Sequence, residues 1–155
     1  MKKILIYAML LFAPVVIAQE VYVSPATLEK RERHKSMTIK EWNTDDQTKT
    51  RWLDRVTTYD EYGRKVEEIE YATYGMRWRI TYTYTDEVGG KVLQEVEYND
   101  KNKPYRIRKY EYNPDGSKAK QYNYLPNGKL ASVKVFEYLT AEQVAAQEAA
   151  KKKKK

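Results

Sequence analysis

The sequence predicts a mainly β protein: an antiparallel, repeat-built β-meander of about seven or eight strands with a short C-terminal helix. Three observations carry this. Between residues 35 and 138, short runs rich in Val, Ile, Thr, Tyr and Trp alternate with joints that hold nearly all the Gly, Asn, Asp and Pro. The joints centre on 63, 75, 90, 102, 116 and 128, a spacing of twelve to fifteen residues that fits a strand and a turn but no crossover helix. Segments 56–71, 80–98 and 107–124 also share one plan, and 124–138 repeats its second half. Each has an apolar start, a Tyr before the turn, Gly followed by a basic residue, and a closing Tyr. The repeat is about 26 residues and two strands long, and stacking is what stabilises hairpins that cannot bury an apolar face alone.

Element by element, the chain opens with MKKILIYAMLLFAPVVIAQE, where Lys2 and Lys3 precede a fifteen-residue apolar run from Ile4 to Ala18. A membrane span needs roughly 20 such residues, so 1–18 reads as a signal peptide cleaved before Gln19, an N-terminal core helix being the alternative. Without any Cys there is neither a lipidation site nor a disulfide. The protein is therefore expected to be exported, periplasmic or extracellular, and not lipid-anchored. Residues 19–34 form a charged leader or a short helix, with Ser24-Pro25 as its start and the single His, His34, expected at the surface.

The repeat domain, 35–138, follows as strands 35–42, 50–59, 64–74, 76–85, 91–98, 104–112, 117–124 and 129–138. Turns are expected at 43–47, 60–63, 75, 86–90, 99–103, 114–116 and 126–128. In 139–155, Thr140 and Gln143 form a capping box, with Leu139 and Val144 at the staple positions. An Ala-rich helix then runs into the lysine tail Lys151–Lys155, where the helix macrodipole favours cations.

The period of two separates Trp78, Ile80, Tyr82 and Tyr84 from Arg77, Arg79, Thr81 and Thr83. A sheet with one moderately buried face and one aromatic, charged and partly wet face is expected. Charge alternates by strand: Glu67, Glu68 and Glu70, then Arg77 and Arg79, then Glu95 and Glu97, then Arg106, Arg108 and Lys109. Unlike charges should face one another, each pair contributing roughly 0.2–1 kcal/mol and penalising slipped registers. Cross-strand pairing is thus the preferred reading of the glutamates over general acid–base work.

Segment 110–138, YEYNPDGSKAKQYNYLPNGKLASVKVFEY, resembles the tyrosine-aspartate (YD) repeats of bacterial Rhs-type surface proteins. It is also similar to the YxxNGKL repeats of small bacterial MORN-like variants. The likeness spans roughly residues 55–138 and consists of Tyr, Asp or Asn, Gly and a basic residue. It implies an extended Tyr-rich β-array used for binding or scaffolding, and it brings no catalytic residues.

The net charge of +7 includes +2 from Lys2 and Lys3 and +5 from Lys151–Lys155, so residues 19–150 are formally neutral and nucleic acid is not expected as a partner. No motif for catalysis, metal ligation or cofactor binding stands out, and none of the three is expected. The candidate binding residues are Trp78, Arg77 and Arg79, then Tyr82, Tyr84, Trp52 and Trp42. Their aromatic faces could anchor a protein or stack on sugars, or simply pair across strands to hold the sheet. The expected function is an exported, non-catalytic interaction module presenting this surface to a protein partner at or outside the cell envelope. A carbohydrate-binding or glycan-hydrolysing protein is the alternative. Weak contact with anionic membrane through Lys151–Lys155, and homo-oligomers joined through sheet edges, are additional expectations.

Overall fold

A computed structural model of the chain describes residues 23–85 and 90–152. Residues 1–22, which include the segment 1–18 read as a signal peptide, the joint at 86–89 and residues 153–155 of the tail lie outside the described residues. Helix α1, Pro25–His34, has Pro at its first turn and is capped by Ser24, whose Oγ accepts from the Thr27 amide at 3.3 Å. A single sheet follows: β1 Thr38–Thr44, β2 Arg51–Tyr59, β3 Lys65–Ala72, β4 Gly75–Tyr84, β5 Val92–Tyr98, β6 Pro104–Tyr112, β7 Lys118–Tyr124 and β8 Leu130–Val135. Its strand order is the sequence order, and every pair is antiparallel. Helix α2, Ala141–Lys152, closes the chain, with the Thr140 amide donating to Gln143 Oε1 at 2.8 Å and the Gln143 amide to Thr140 Oγ1 at 3.3 Å.

The repeated Tyr–turn–basic signature has a geometric origin. Four turns, Asp60–Arg64, Asn99–Lys103, Asn113–Ser117 and Leu125–Lys129, close through the same two backbone bonds, one spanning three residues and one spanning four. In each, the fourth residue is left-handed: Gly63 (φ 68°), Asn102 (φ 55°), Gly116 (φ 81°) and Gly128 (φ 81°). This is the three-residue hairpin loop whose left-handed residue forms a bulge. The register slips at the Tyr before each turn, at Tyr59, Tyr98, Tyr112 and Tyr124. Asx side chains add local acceptors, as where Asp60 Oδ1 takes the Tyr62 and Arg64 amides. Tyrosines also clamp one hairpin to the next: Tyr84, Tyr112 and Tyr138 donate to the carbonyls of Lys65, Val92 and Lys118 at 2.7, 2.8 and 3.0 Å.

One face is moderately buried, as expected: Trp78, Ile80, Tyr82 and Tyr84 are all half-buried, while Arg77 and Thr83 on the other side are exposed. Among the described residues the extensive strand contacts are all between sequence neighbours, and α1 lies against one end of the sheet, where His34 stacks on Tyr59. Tyr110, at 6% exposure, is the one buried large hydrophobic residue among those described, beside the buried polar Thr57 and Glu97. Cohesion therefore falls largely to the backbone ladder and to side-chain contacts along each face.

The 25–34 segment is helical and seated. The Ser36 amide donates to the Asp60 carbonyl and the Tyr59 amide to the Met37 carbonyl, both at 2.8 Å. His34 is half-buried rather than at the surface, because its ring stacks on Tyr59 with centroids 4.7 Å apart. Beneath the helix, a Cβ added at Gly63 would lie 1.9 Å from the Arg31 carbonyl oxygen, whereas at Gly128 it would meet nothing within 4 Å. Gly128→Ala is therefore expected to cost only left-handed strain, about 1–2 kcal/mol. Gly63→Ala bears the same strain and must also lift α1 off the turn. Denaturant unfolding, read beside the ring-current shifts of the His34–Tyr59 stack, checks this; equal losses with an intact stack would show that α1 does not depend on Gly63.

Candidate functional site

The face bearing Trp78, Ile80, Tyr82 and Tyr84 is assembled by register. Glu68 stands opposite Ile80, Ile80 opposite Glu97, Tyr82 opposite Glu95, Glu95 opposite Arg108 and Arg108 opposite Asn123. Opposite charges meet across the strands as the alternating pattern predicts. Arg79 Nε lies 2.6 Å from Glu67, Arg77 2.9 Å from Glu70, Arg108 Nη1 3.0 Å from Glu95 and Arg106 3.4 Å from Glu97. The second Arg108 nitrogen bonds Glu97, while Arg55 approaches both Glu68 and Glu70 at 3.5 and 3.4 Å. Glu67, Glu68 and Glu70 are thus each held by a cation. Arg77 is largely exposed, so its pair adds little, whereas Arg108, Glu95 and Glu97 form a sheltered triad.

This environment suppresses phenol ionisation. Burial, reinforced by Glu68 and Glu95, drives the Tyr82 pKa upward. Burial and contact with Glu95 do the same to Tyr110. Burial pushes Tyr84 and Tyr112 up to about 12 each.

The sequence-selected residues do not form one cluster. Trp78, Tyr82 and Tyr84 share the face, but Tyr82 is tied to Glu68 at 3.3 Å and Tyr84 to the Lys65 carbonyl. Arg79 points to the opposite side, bonding Glu67 and Asn102 and lying 4.7 Å over the Tyr98 ring. Arg77 turns to Glu70. Trp42 stands on edge strand β1, 50% exposed beneath the Arg51 guanidinium, and half-buried Trp52 pairs with Asn43. The expected grouping of Trp78 with Arg77 and Arg79 is thus replaced by other neighbours, since consecutive residues of a strand point to opposite faces.

Those neighbours are Ile80, Glu97 and Tyr105, which with Trp78 line a cleft of about 180 Å³. Tyr105 leans on the Glu97 carboxylate, which raises its phenol pKa. From Tyr105 a broader groove of about 520 Å³ runs past Arg106 and Arg108 to Asn123, Ser132 and Lys134. Sequence reasoning passed over Tyr105 because the slip that pairs Tyr98 with Pro104 decides where it points. Its position just after a turn at a bulge was the available signal.

Strand β8 forms an outer edge, paired only with β7 and exposed at all six positions. Leu130, Val133 and Val135 on it, and Tyr138, Leu139 and Val144 beyond it, are exposed large hydrophobics. Among the described residues no group of three or more His, Cys, Asp or Glu side chains is placed to hold a metal ion, and no helix is long and apolar enough to cross a membrane.

No family model matches the chain, and no curated protein matches it. Among solved structures it is similar to an S. aureus TarM mutant in complex with Fondaparinux, alpha-GlcNAc-glycerol and UDP. The identity is 16% and the TM-score 0.27, over 76% of this chain and 23% of that one. A likeness at this TM-score carries no argument about fold or function.

Proposed function

We propose that this protein is a non-catalytic interaction module that works at or outside the cell envelope and receives a protein partner on its β8 edge. The observation that carries this reading is the edge itself: unpaired, exposed throughout, and bearing Leu130, Val133 and Val135 with a single charge, Lys134. Solitary proteins blunt such edges with charges, bulges or covering segments, because free N–H and C=O groups pair readily with another chain. The opposite edge, β1, does carry Lys40 and Glu41. An extended partner segment added to β8 would gain main-chain hydrogen bonds, with Val133 and Val135 beneath its alternate side chains. Export rests on the 1–18 reading, and Lys151–Lys155 would add a weak, salt-sensitive attraction to anionic surfaces.

The test is affinity capture from native envelope and medium fractions, using the chain and a Val133→Lys/Val135→Lys variant, read by mass spectrometry. A stoichiometric partner that survives physiological salt is expected, with binding weakened roughly tenfold or more in the variant. A partner retained equally by the variant would overturn the edge assignment, and recovery of no protein would overturn the protein-partner reading.

A further inference from the structure

The two sides of β8 specify which strand it receives. Val133 stands opposite Tyr122 and Val135 opposite Lys120, whereas Ser132 stands opposite Asn123 and Lys134 opposite Gln121. Side chains alternate along a strand, so an incoming segment meets Val133 and Val135 on one side of the sheet and Ser132 and Lys134 on the other. The second side is the groove that also holds Arg106 and Arg108, and no carboxylate lines it. Arg106 is committed to Glu97, and Arg108 to Glu95 and Glu97. Lys134 has no such commitment: it is exposed, and among the described residues neither a hydrogen bond nor an ion pair holds its ammonium.

The sheet itself shows what answers such a strand. In β6, Arg106 and Arg108 turn to the groove side and Ile107 to the other. Its partner β5 sets Glu97 opposite Arg106, Glu95 opposite Arg108 and Val96 opposite Ile107. Arg108 stands opposite Asn123, and Asn123 opposite Ser132. Lys134, two residues on from Ser132, therefore shares the Arg108 side, and Val133 and Val135 share the Ile107 side. β8 repeats the β6 alternation, cation toward the groove and aliphatics away from it, with no acidic strand beyond it in the sheet.

A cation placed opposite Lys134 would be repelled, and a polar residue opposite Val133 or Val135 would forgo their apolar contact. We propose that β8 takes an extended acidic–apolar protein segment, with a carboxylate opposite Lys134 and apolar residues on either side of it. Val96-Glu97-Tyr98 supplies that pattern within this chain. The assignment rests on the protein-partner reading and adds the partner's chemistry to it.

The test uses the capped peptide of residues 91–98, KVLQEVEY, as a surrogate for the partner, beside its Glu95→Lys/Glu97→Lys version. Each is titrated into the isotope-labelled full chain and followed by NMR. The unaltered peptide should shift the amides of 130–135, with an affinity roughly fivefold or more above that of the lysine version. Lys134→Glu, an exchange on an exposed side chain, should reverse the preference. Equal affinity for the two peptides, or a preference unchanged in Lys134→Glu, would overturn the acidic strand and leave β8 as the docking edge. Silence from both peptides, or shifts confined to other strands, would also overturn it. The protein-partner reading fails differently, by recovery of no protein in the capture experiment. A captured partner that is weakened by Val133→Lys/Val135→Lys but untouched by Lys134→Glu would sustain the edge and refute the acidic strand.

Discussion

Replacing Arg108 with alanine is expected to destabilise the protein by about 3–5 kcal/mol, because it strands two sheltered carboxylates at once. Arg108 bonds Glu95 from one guanidinium nitrogen and Glu97 from the other, and both glutamates lie largely out of solvent. Burial alone would disfavour the guanidinium charge, but the two carboxylates outweigh it and raise the Arg108 pKa. That loss is a large fraction of the 5–15 kcal/mol typical of a folded domain. Urea unfolding at neutral pH measures it. The triple replacement Arg108→Met/Glu95→Gln/Glu97→Gln should recover much of the loss, since it removes the charges together. A change within about 0.5 kcal/mol for Arg108→Ala, the range of ordinary surface substitutions, would show that the triad is not sheltered in solution.

Stability should also collapse between pH 10 and 12. Tyrosines of the unfolded chain titrate near pH 10, whereas burial holds Tyr84 and Tyr112 at about 12 and raises Tyr82 and Tyr110 as well. These folded-state values are raised, so the contribution is fully present below pH 10. Above it the unfolded chain has released protons that the folded chain retains, and the unfolding free energy declines as the pH climbs through the folded values. Urea midpoints at pH 9, 10 and 11 at constant ionic strength should fall in step with a cooperative rise in tyrosinate absorbance. Tyr112→Phe should make the decline shallower. A gradual tyrosinate titration centred near 10, with an unmoved urea midpoint, would mean that these phenols are solvated.

The strands and their turns were legible in the sequence because both are local. Alternation over eight or ten residues marks a strand, and a left-handed residue three places after Asp60, Asn113 or Leu125 marks the turn. Even Asn102, standing where the other repeats have Gly, takes the left-handed conformation. With two-strand units and no crossovers, sequential antiparallel pairing followed, and with it the meeting of Glu67 with Arg79 and of Glu95 with Arg108. Only the tertiary structure decided what lies beside Trp78. Its partners Glu97 and Tyr105 come from β5 and β6, and a one-residue bulge at Tyr98 determines which way Tyr105 turns. The seating of α1 on Gly63 joins segments some thirty residues apart, and no periodicity encodes it. How far each face is covered was equally hidden, because alternation records only that a strand has two kinds of face. Whether anything packs against either face depends on the whole chain, and among the described residues the extensive strand contacts are those between sequence neighbours.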